Sequence, residues 1–252
     1  MTFPALFISH GSPMILQQQS PARQAISELS SGIPRPEAII IMTAHWLTGE
    51  RIGVSSWNSA SLIYDFYGFP AALYNYQYPA SGMPALADNI VSRLQHAGLD
   101  SFTDKQRGLD HGSWVPLLLM YPQADIPVIQ ISVPQRSDNR ILLQLGELLA
   151  PLRNKNLLIG SGLLTHNLAL MTSGGQQHPD LKTFIDPLTP MLELVDKTAL
   201  EGWKNIPCAQ LFHPSDEHFR PLLFAAGAGS EGRLLHRSIE YSSIAMDIWQ
   251  FD

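Results

Sequence analysis

Short apolar runs alternate along this chain with longer stretches of helical period. Ala5–Ser9 is an apolar run that stops at His-Gly-Ser-Pro, a turn signal. Pro21–Ser30 has helical composition, with Ser20 placed as a cap and Pro21 at the first helical position. Glu37–Thr43 (EAIIIMT) is continuous and isoleucine-rich, which predicts a strand buried on both faces of a parallel sheet. The pattern then predicts helices over Pro84–His96 and Ser113–Tyr121, a strand over Pro127–Val133, a helix over Asp138–Leu149 and a strand over Asn156–Ser161. Past Gly162 a loop reaches His166. Two further helices are predicted over Leu181–Thr198 and Glu217–Ala226, and Arg233–Tyr241 and Ile244–Phe251 read as strands at a sheet edge.

Strands that alternate with helices imply strand–helix–strand crossovers. The expected architecture is α/β: one domain over residues 1–252, a largely parallel central sheet and helices on both faces. No repeat, low-complexity stretch or linker marks an internal boundary. In such sheets the site lies outside the carboxyl ends of the strands, so the residues just past each strand are where chemistry is sought.

Composition narrows the function classes. The chain has 252 residues, 45% hydrophobic and 15% charged, as in a globular protein with a sizeable core. A net charge of −6 leaves no excess of Lys and Arg to replace counterions, which argues against nucleic acid and anionic membrane as partners. The lone Cys208 excludes an internal disulfide and a cysteine-based zinc finger. The start, Met-Thr-Phe-Pro-Ala-Leu, lacks the features of a signal peptide, and no apolar run approaches the ~18 residues of a membrane span. A soluble, cytoplasmic protein is expected.

The candidate chemistry is carried by histidine. There are nine: His10, His45, His96, His111, His166, His178, His213, His218 and His236. His10 ends the first strand, His45 ends the second, and His166 closes the loop after Asn156–Ser161. The interval from His10 to His45 suits one strand–helix–strand unit of about 30 residues or more, which would set the two imidazoles side by side. A histidine just past a strand is most often a hydrogen-bonded loop residue, but two at consecutive strand ends point to a shared metal. Imidazole nitrogen suits Zn and Fe, and three or four such ligands with an open position make a catalytic site. His218 opens a predicted helix, and His111 sits in a Gly-flanked loop before another. His96, in the last turn of a helix, complements its dipole; His178 and His213 fall in polar loops and His236 on a strand, so structural roles are expected for these four.

Other constellations are weaker. Gly160-Ser161-Gly162 and Gly11-Ser12-Pro13 are not the Gly-x-Ser-x-Gly elbow. Gly174-Gly175 is a bare turn signal, and Asp186, Glu193 and Asp196 read as a solvated helix face. Trp46 and Trp114 each follow a singled-out histidine; packing at the sheet edge is the favoured reading, lining a substrate pocket the other.

The set Ser9-His10-Gly11-Ser12-Pro13, Thr43-Ala44-His45-Trp46, Leu109-Asp110-His111-Gly112-Ser113-Trp114, His166-Asn167 and Glu217-His218 with Pro221-Leu222-Leu223 resembles the class III extradiol ring-cleaving dioxygenases, most closely their DOPA-type branch. The motifs run in the family's order from the first strand to past residue 220. The resemblance implies a catechol substrate carrying a side chain, O2 as the other reactant, and Fe(II) for turnover, with Zn(II) able to occupy the site as isolated. It implies His10, His45 and His218 as metal ligands, and His166 as either a fourth ligand or a base at the substrate. It implies His111 as the acid/base histidine, with Asp110 orienting it and Trp46 and Trp114 helping to hold the ring. The wider class uses two histidines and a carboxylate, so Glu217 stands as the alternative to His218; adjacent helical residues point about 100° apart, and only one would face the metal. Two other readings fit the histidines alone: a zinc-dependent hydrolase on the same scaffold, and a non-catalytic binding protein.

Overall fold

The isoleucine run that predicts a strand forms the middle of a sheet. The computed structural model describes residues 2–173 and 175–252; Gly174, half of the Gly174-Gly175 turn signal, lies outside them. The strands are β1 (Ala5–Ser9), β2 (Ala38–Thr48), β3 (Ile52–Ser55), β4 (Ser101–Asp104), β5 (Val128–Pro134), β6 (Asn156–Gly162), β7 (Gly232–His236), β8 (Ile239–Glu240), β9 (Ile244–Ala245) and β10 (Ile248–Phe251). Eight of them form one sheet in the order β4-β3-β5-β2-β6-β1-β10-β7, and β8 and β9 form a separate ribbon. The central strands β5, β2, β6 and β1 are mutually parallel. β10, β7 and the β3–β5 pair add antiparallel edges.

Alternation explains why β2 reads as continuously apolar. Ile39 and Ile41 enter the core on one face, and Ile40 and Met42 enter the core on the other. The helices are α1 (Pro21–Glu28), α2 (Pro84–His96), α3 (His111–Met120), α4 (Asn139–Leu149), α5 (Leu181–Glu193), α6 (Lys197–Glu201), α7 (Ala209–Phe212) and α8 (Arg220–Gly227). α1 and α3 cover the first face; α2 and α4 to α8 supply the core of the second. None of them is long and apolar enough to cross a membrane.

The structure corrects several expected boundaries. The helix expected over Leu181–Thr198 breaks at Val195, whose φ is +47°, and Asp196 restarts it by accepting a hydrogen bond from Ala199 N. The helix expected from Glu217 begins at Arg220, because Pro221 belongs in a first helical turn; His218 therefore sits in the turn ahead of it. β2 runs past Thr43 to Thr48 through a register shift between Met42 and Leu47. That bulge carries His45, so His45 stands within the strand's distorted end rather than after it. β3 and β4 were not anticipated, and the two C-terminal runs are each interrupted, giving the ribbon β8–β9 between β7 and β10.

Two glycines let α8 lie directly on β6. A Cβ on Gly160 would approach Pro221 O to 2.0 Å, and one on Gly162 would approach His218 O equally closely, at 2.0 Å. Backbone bonds stitch the same place: Leu163 N donates to His218 O at 2.9 Å and His10 N to Gly162 O at 3.0 Å. The approach of chain to chain thus sets two histidines at one sheet end. Gly162→Ala is expected to push the His218 turn outward. Overpacking of this kind costs about 1–3 kcal/mol, which for a chain of this size is a fall in Tm of roughly 3–10 °C in a thermal melt. An unchanged melting temperature would show that the turn yields freely.

Candidate metal centre

The carboxyl ends of β1, β6 and β2, adjacent in the sheet, open into a cavity of about 460 Å³. His10, His45, His111, His166 and His218 all line it. The ligand atoms of His10, His45 and His111 lie within 4.8 Å of one another, and those of His166, Glu217 and His218 form a second such group. The groups adjoin: the His218 ring is 5.0 Å from that of His45 and 5.6 Å from that of His10, centre to centre. His10 Nε2 and His45 Nε2 are 3.2 Å apart.

Four of the five rings are held from behind. The Ser161 hydroxyl donates to Gly112 O, so it accepts from His10 Nδ1 at 3.0 Å. His10 is thereby fixed as the tautomer with its lone pair on Nε2, facing His45. The Asp65 carboxylate spans two rings: Oδ1 accepts from His111 Nδ1 and from His111 N, both at 2.9 Å, and Oδ2 lies 3.3 Å from His45 Nδ1. Glu217 Oε1 accepts from His218 Nδ1 at 2.8 Å and lies 3.6 Å from His166 Nδ1. The rings of His166 and His218 stack at 3.6 Å. Carboxylate or hydroxyl behind, free nitrogen in front, is the arrangement that orients histidines toward a metal.

The electrostatics disfavour protonation of His10, His45, His166 and His218. Burial, then the neighbouring His45, His111, His218 and His166, holds His10 well below the usual histidine range. His218 is lowered as strongly, by burial first and then by His166 and His45. Burial and His111 take His45 down to about 3, against the opposing charge of Asp65. His166 is lowered by burial, with Glu217 opposing. Although burial opposes it, Asp65 is brought down to about 2 by its hydrogen bonds with His111 and by the charges of His111 and His45. Neutral imidazoles beside the ionised Asp65 carboxylate are what a divalent cation requires.

Several expectations change here. Asp110 does not contact the His111 ring; Asp65 does. Asp110 is fully buried and holds the His45 bulge instead. It accepts from Thr43 Oγ1 at 2.8 Å and from Arg107 Nη2 at 2.7 Å, and Gln130 Nε2 also donates to it. Thr43 Oγ1 in turn accepts from His45 N at 2.9 Å, and Arg107 donates to His45 O at 3.0 Å. Glu217 and His218 are not consecutive helical residues, and the carboxylate folds behind the imidazole rather than competing with it. Trp46 and Trp114 are packing residues: Trp46 lies under the Arg107 guanidinium, Trp114 donates to Ile63 O, and neither lines the cavity. Phe66 and Phe69 line it.

The remaining histidines stand apart. His96 bonds Ser92 O in the last turn of α2, His236 bonds Ser238, and His178 lies in a loop. His213 is not in a polar setting as expected. It is buried against Phe184, Trp203 and Phe219, its Nε2 donates to Leu164 O, and burial lowers it to about 4.

Asp65 gave no sequence signal, since it stands in an irregular loop far from both of its partners. Asp65→Asn replaces a two-sided acceptor with an amide that can accept on one side only. Loss of such an outer partner typically costs 10–100-fold in metal affinity, and a competitive chelator titration against the parent protein is expected to read a loss of about that size. Equal affinities would remove Asp65 from the metal's support.

The family model described as the catalytic LigB subunit of aromatic ring-opening dioxygenase matches residues 4–248 of this chain. A 4,5-DOPA dioxygenase extradiol of Beta vulgaris is 38% identical, over 97% of this chain and 95% of its own. The protein of that description from Escherichia coli K12 is 36% identical, over 89% of this chain and 84% of its own. A crystal structure of an uncharacterized protein from Escherichia coli K12 superposes with a TM-score of 0.84 at 32% identity, covering 99% of this chain and 100% of the other.

Proposed function

Because the chain belongs to the family of the catalytic LigB subunit of aromatic ring-opening dioxygenase, in its DOPA-type branch, we propose that it opens a DOPA-like catechol next to the diol, adding both atoms of O2. The observation that carries this reading is the meeting of five histidines in one cavity, four of them held from behind by a hydroxyl or carboxylate. We assign His10, His45 and His218 as the metal ligands. Three neutral imidazoles suit Fe(II) and Zn(II) alike; Fe(II) is proposed for turnover, and Zn(II) as an ion that can occupy the site on isolation. Held by His10, His45 and His218, a ferrous ion would supply the redox chemistry by which a catechol reacts with dioxygen.

The protein's own groups handle protons and position. His166, stacked on the proposed ligand His218 and more exposed than it, is assigned to the catechol's hydroxyl proton. His111 is assigned as the group that returns a proton when the O–O bond breaks, with Asp65 fixing its ring so that Nε2 is the free nitrogen. Imidazole can both accept and return a proton, which suits it to either role. Phe66 and Phe69 give the substrate ring an apolar wall.

The test is reconstitution with ferrous iron under anaerobic conditions, followed by a catechol and oxygen. A yellow muconic semialdehyde heavier than the catechol by both oxygen atoms is expected, with one O2 consumed per ring. A colourless dicarboxylic product would move the cleavage between the hydroxyls, and no oxygen uptake with confirmed ferrous occupancy would turn the reading to a hydrolase.

A further inference from the structure

Resting on the ring-opening reading, the geometry points to Glu240 as the partner of an ammonium group on the substrate's side chain, so that the pocket selects aminoalkyl catechols over catechol carboxylates.

The cavity wall opposite in chemistry to the histidines is the β8–β9 ribbon. Glu240 pairs across it with Ile244, and both line the cavity together with Tyr241. The remaining lining outside the histidines is mostly apolar, and among the described residues it contains no Lys or Arg. Glu240 is therefore the one acidic side chain on that wall. Its Oε1 is buried and has no hydrogen-bond partner within the protein, and Glu240 makes no ion pair among the described residues. A carboxylate oxygen so placed is costly unless something else approaches it.

The ribbon is also held in place. Tyr241 and Ser242 have φ of +48° and +64°, a turn that non-glycine residues adopt only when the surroundings enforce it. Thr172 N donates to Tyr241 O and His178 N to Ser242 O, which fix the turn against a neighbouring loop. The nearby cation, Arg237, is not free to receive a substrate carboxylate. It grips the fully buried Asp247 with two nitrogens, Nη2 to Oδ2 at 2.6 Å and Nε to Oδ1 at 2.9 Å. A side chain carrying a carboxylate alone would thus meet an apolar wall and a like charge, whereas one carrying an ammonium would meet Glu240.

Binding to zinc-loaded protein, without turnover, tests this with three probes: dopamine, 4-methylcatechol and 3,4-dihydroxyphenylpropionate. By calorimetry, dopamine is expected to bind about tenfold more tightly than the propionate, the scale of one charge-assisted contact. Glu240→Gln is expected to lower the dopamine-to-4-methylcatechol affinity ratio about fivefold or more. The proposal is overturned by a propionate that binds as tightly as dopamine, by a ratio that Glu240→Gln does not move, or by failure of all three to bind. Cleavage of all three catechols with no charge selection would leave ring opening standing and remove the ammonium site. Glu240-dependent binding of dopamine without ring opening under iron and oxygen would do the reverse.

Discussion

His10→Ala, His45→Ala and His218→Ala are each expected to emerge folded but nearly free of metal, with ring-opening activity below about one thousandth of the parent. Each removes a neutral nitrogen that the fold has already oriented: His10 through Ser161, His45 beside Asp65, His218 through Glu217. A site of three or four ligands shares a binding free energy of about 10–16 kcal/mol, so each ligand accounts for roughly 3–4 kcal/mol, or two to three powers of ten in affinity. The loss is thus larger than the 10–100-fold expected at Asp65. Metal analysis after gel filtration, with circular dichroism as the control for folding, makes the measurement. Full occupancy in any one variant would strike that residue from the ligand set, and full occupancy in His218→Ala would also reopen the case for Glu217.

How much of this was legible depended on whether a residue's role was local. The strand ends that carry His10 and the β2 histidine could be read because apolar runs stop abruptly in front of them. The parallel sheet followed from β2, whose four core residues alternate between two packed faces. By contrast β3 and β4 are four residues each, too short for a period to stand out; β3 adds to the edge of β5 and β4 to the edge of β3. The turn that carries His218 was misread as helix because the apolar residues of α8 follow it closely; Pro221 was the signal that moved the boundary. Asp65 was illegible for a different reason. Its carboxylate contacts one histidine earlier and one later in the chain, the later one also through the His111 backbone nitrogen, and no spacing rule links such positions. The resemblance implied an orienting role for Asp110, adjacent to His111, yet its carboxylate points to Thr43, Arg107 and Gln130 beneath the His45 bulge.

His166→Ala and His111→Ala separate proton handling from metal holding. Both rings line the cavity, and each lies against a proposed ligand: His166 stacks on His218 at 3.6 Å and His111 lies 4.0 Å from His45. Distance alone therefore does not divide ligand from base, but loss of function does. An acid/base group contributes about 10²–10⁴-fold to turnover and nothing direct to metal affinity, so both variants are expected to keep their metal and lose kcat by at least about 10²-fold. The two losses should differ in kind. If His166 takes the catechol proton, its variant should recover with a substrate whose first hydroxyl is more acidic, such as 4-nitrocatechol, because that proton then leaves without help. If His111 returns a proton during O–O cleavage, its variant should gain nothing from the acidic catechol. Loss of metal in His166→Ala would make His166 the fourth ligand, and equal rescue of both variants would dissolve the division of labour between them.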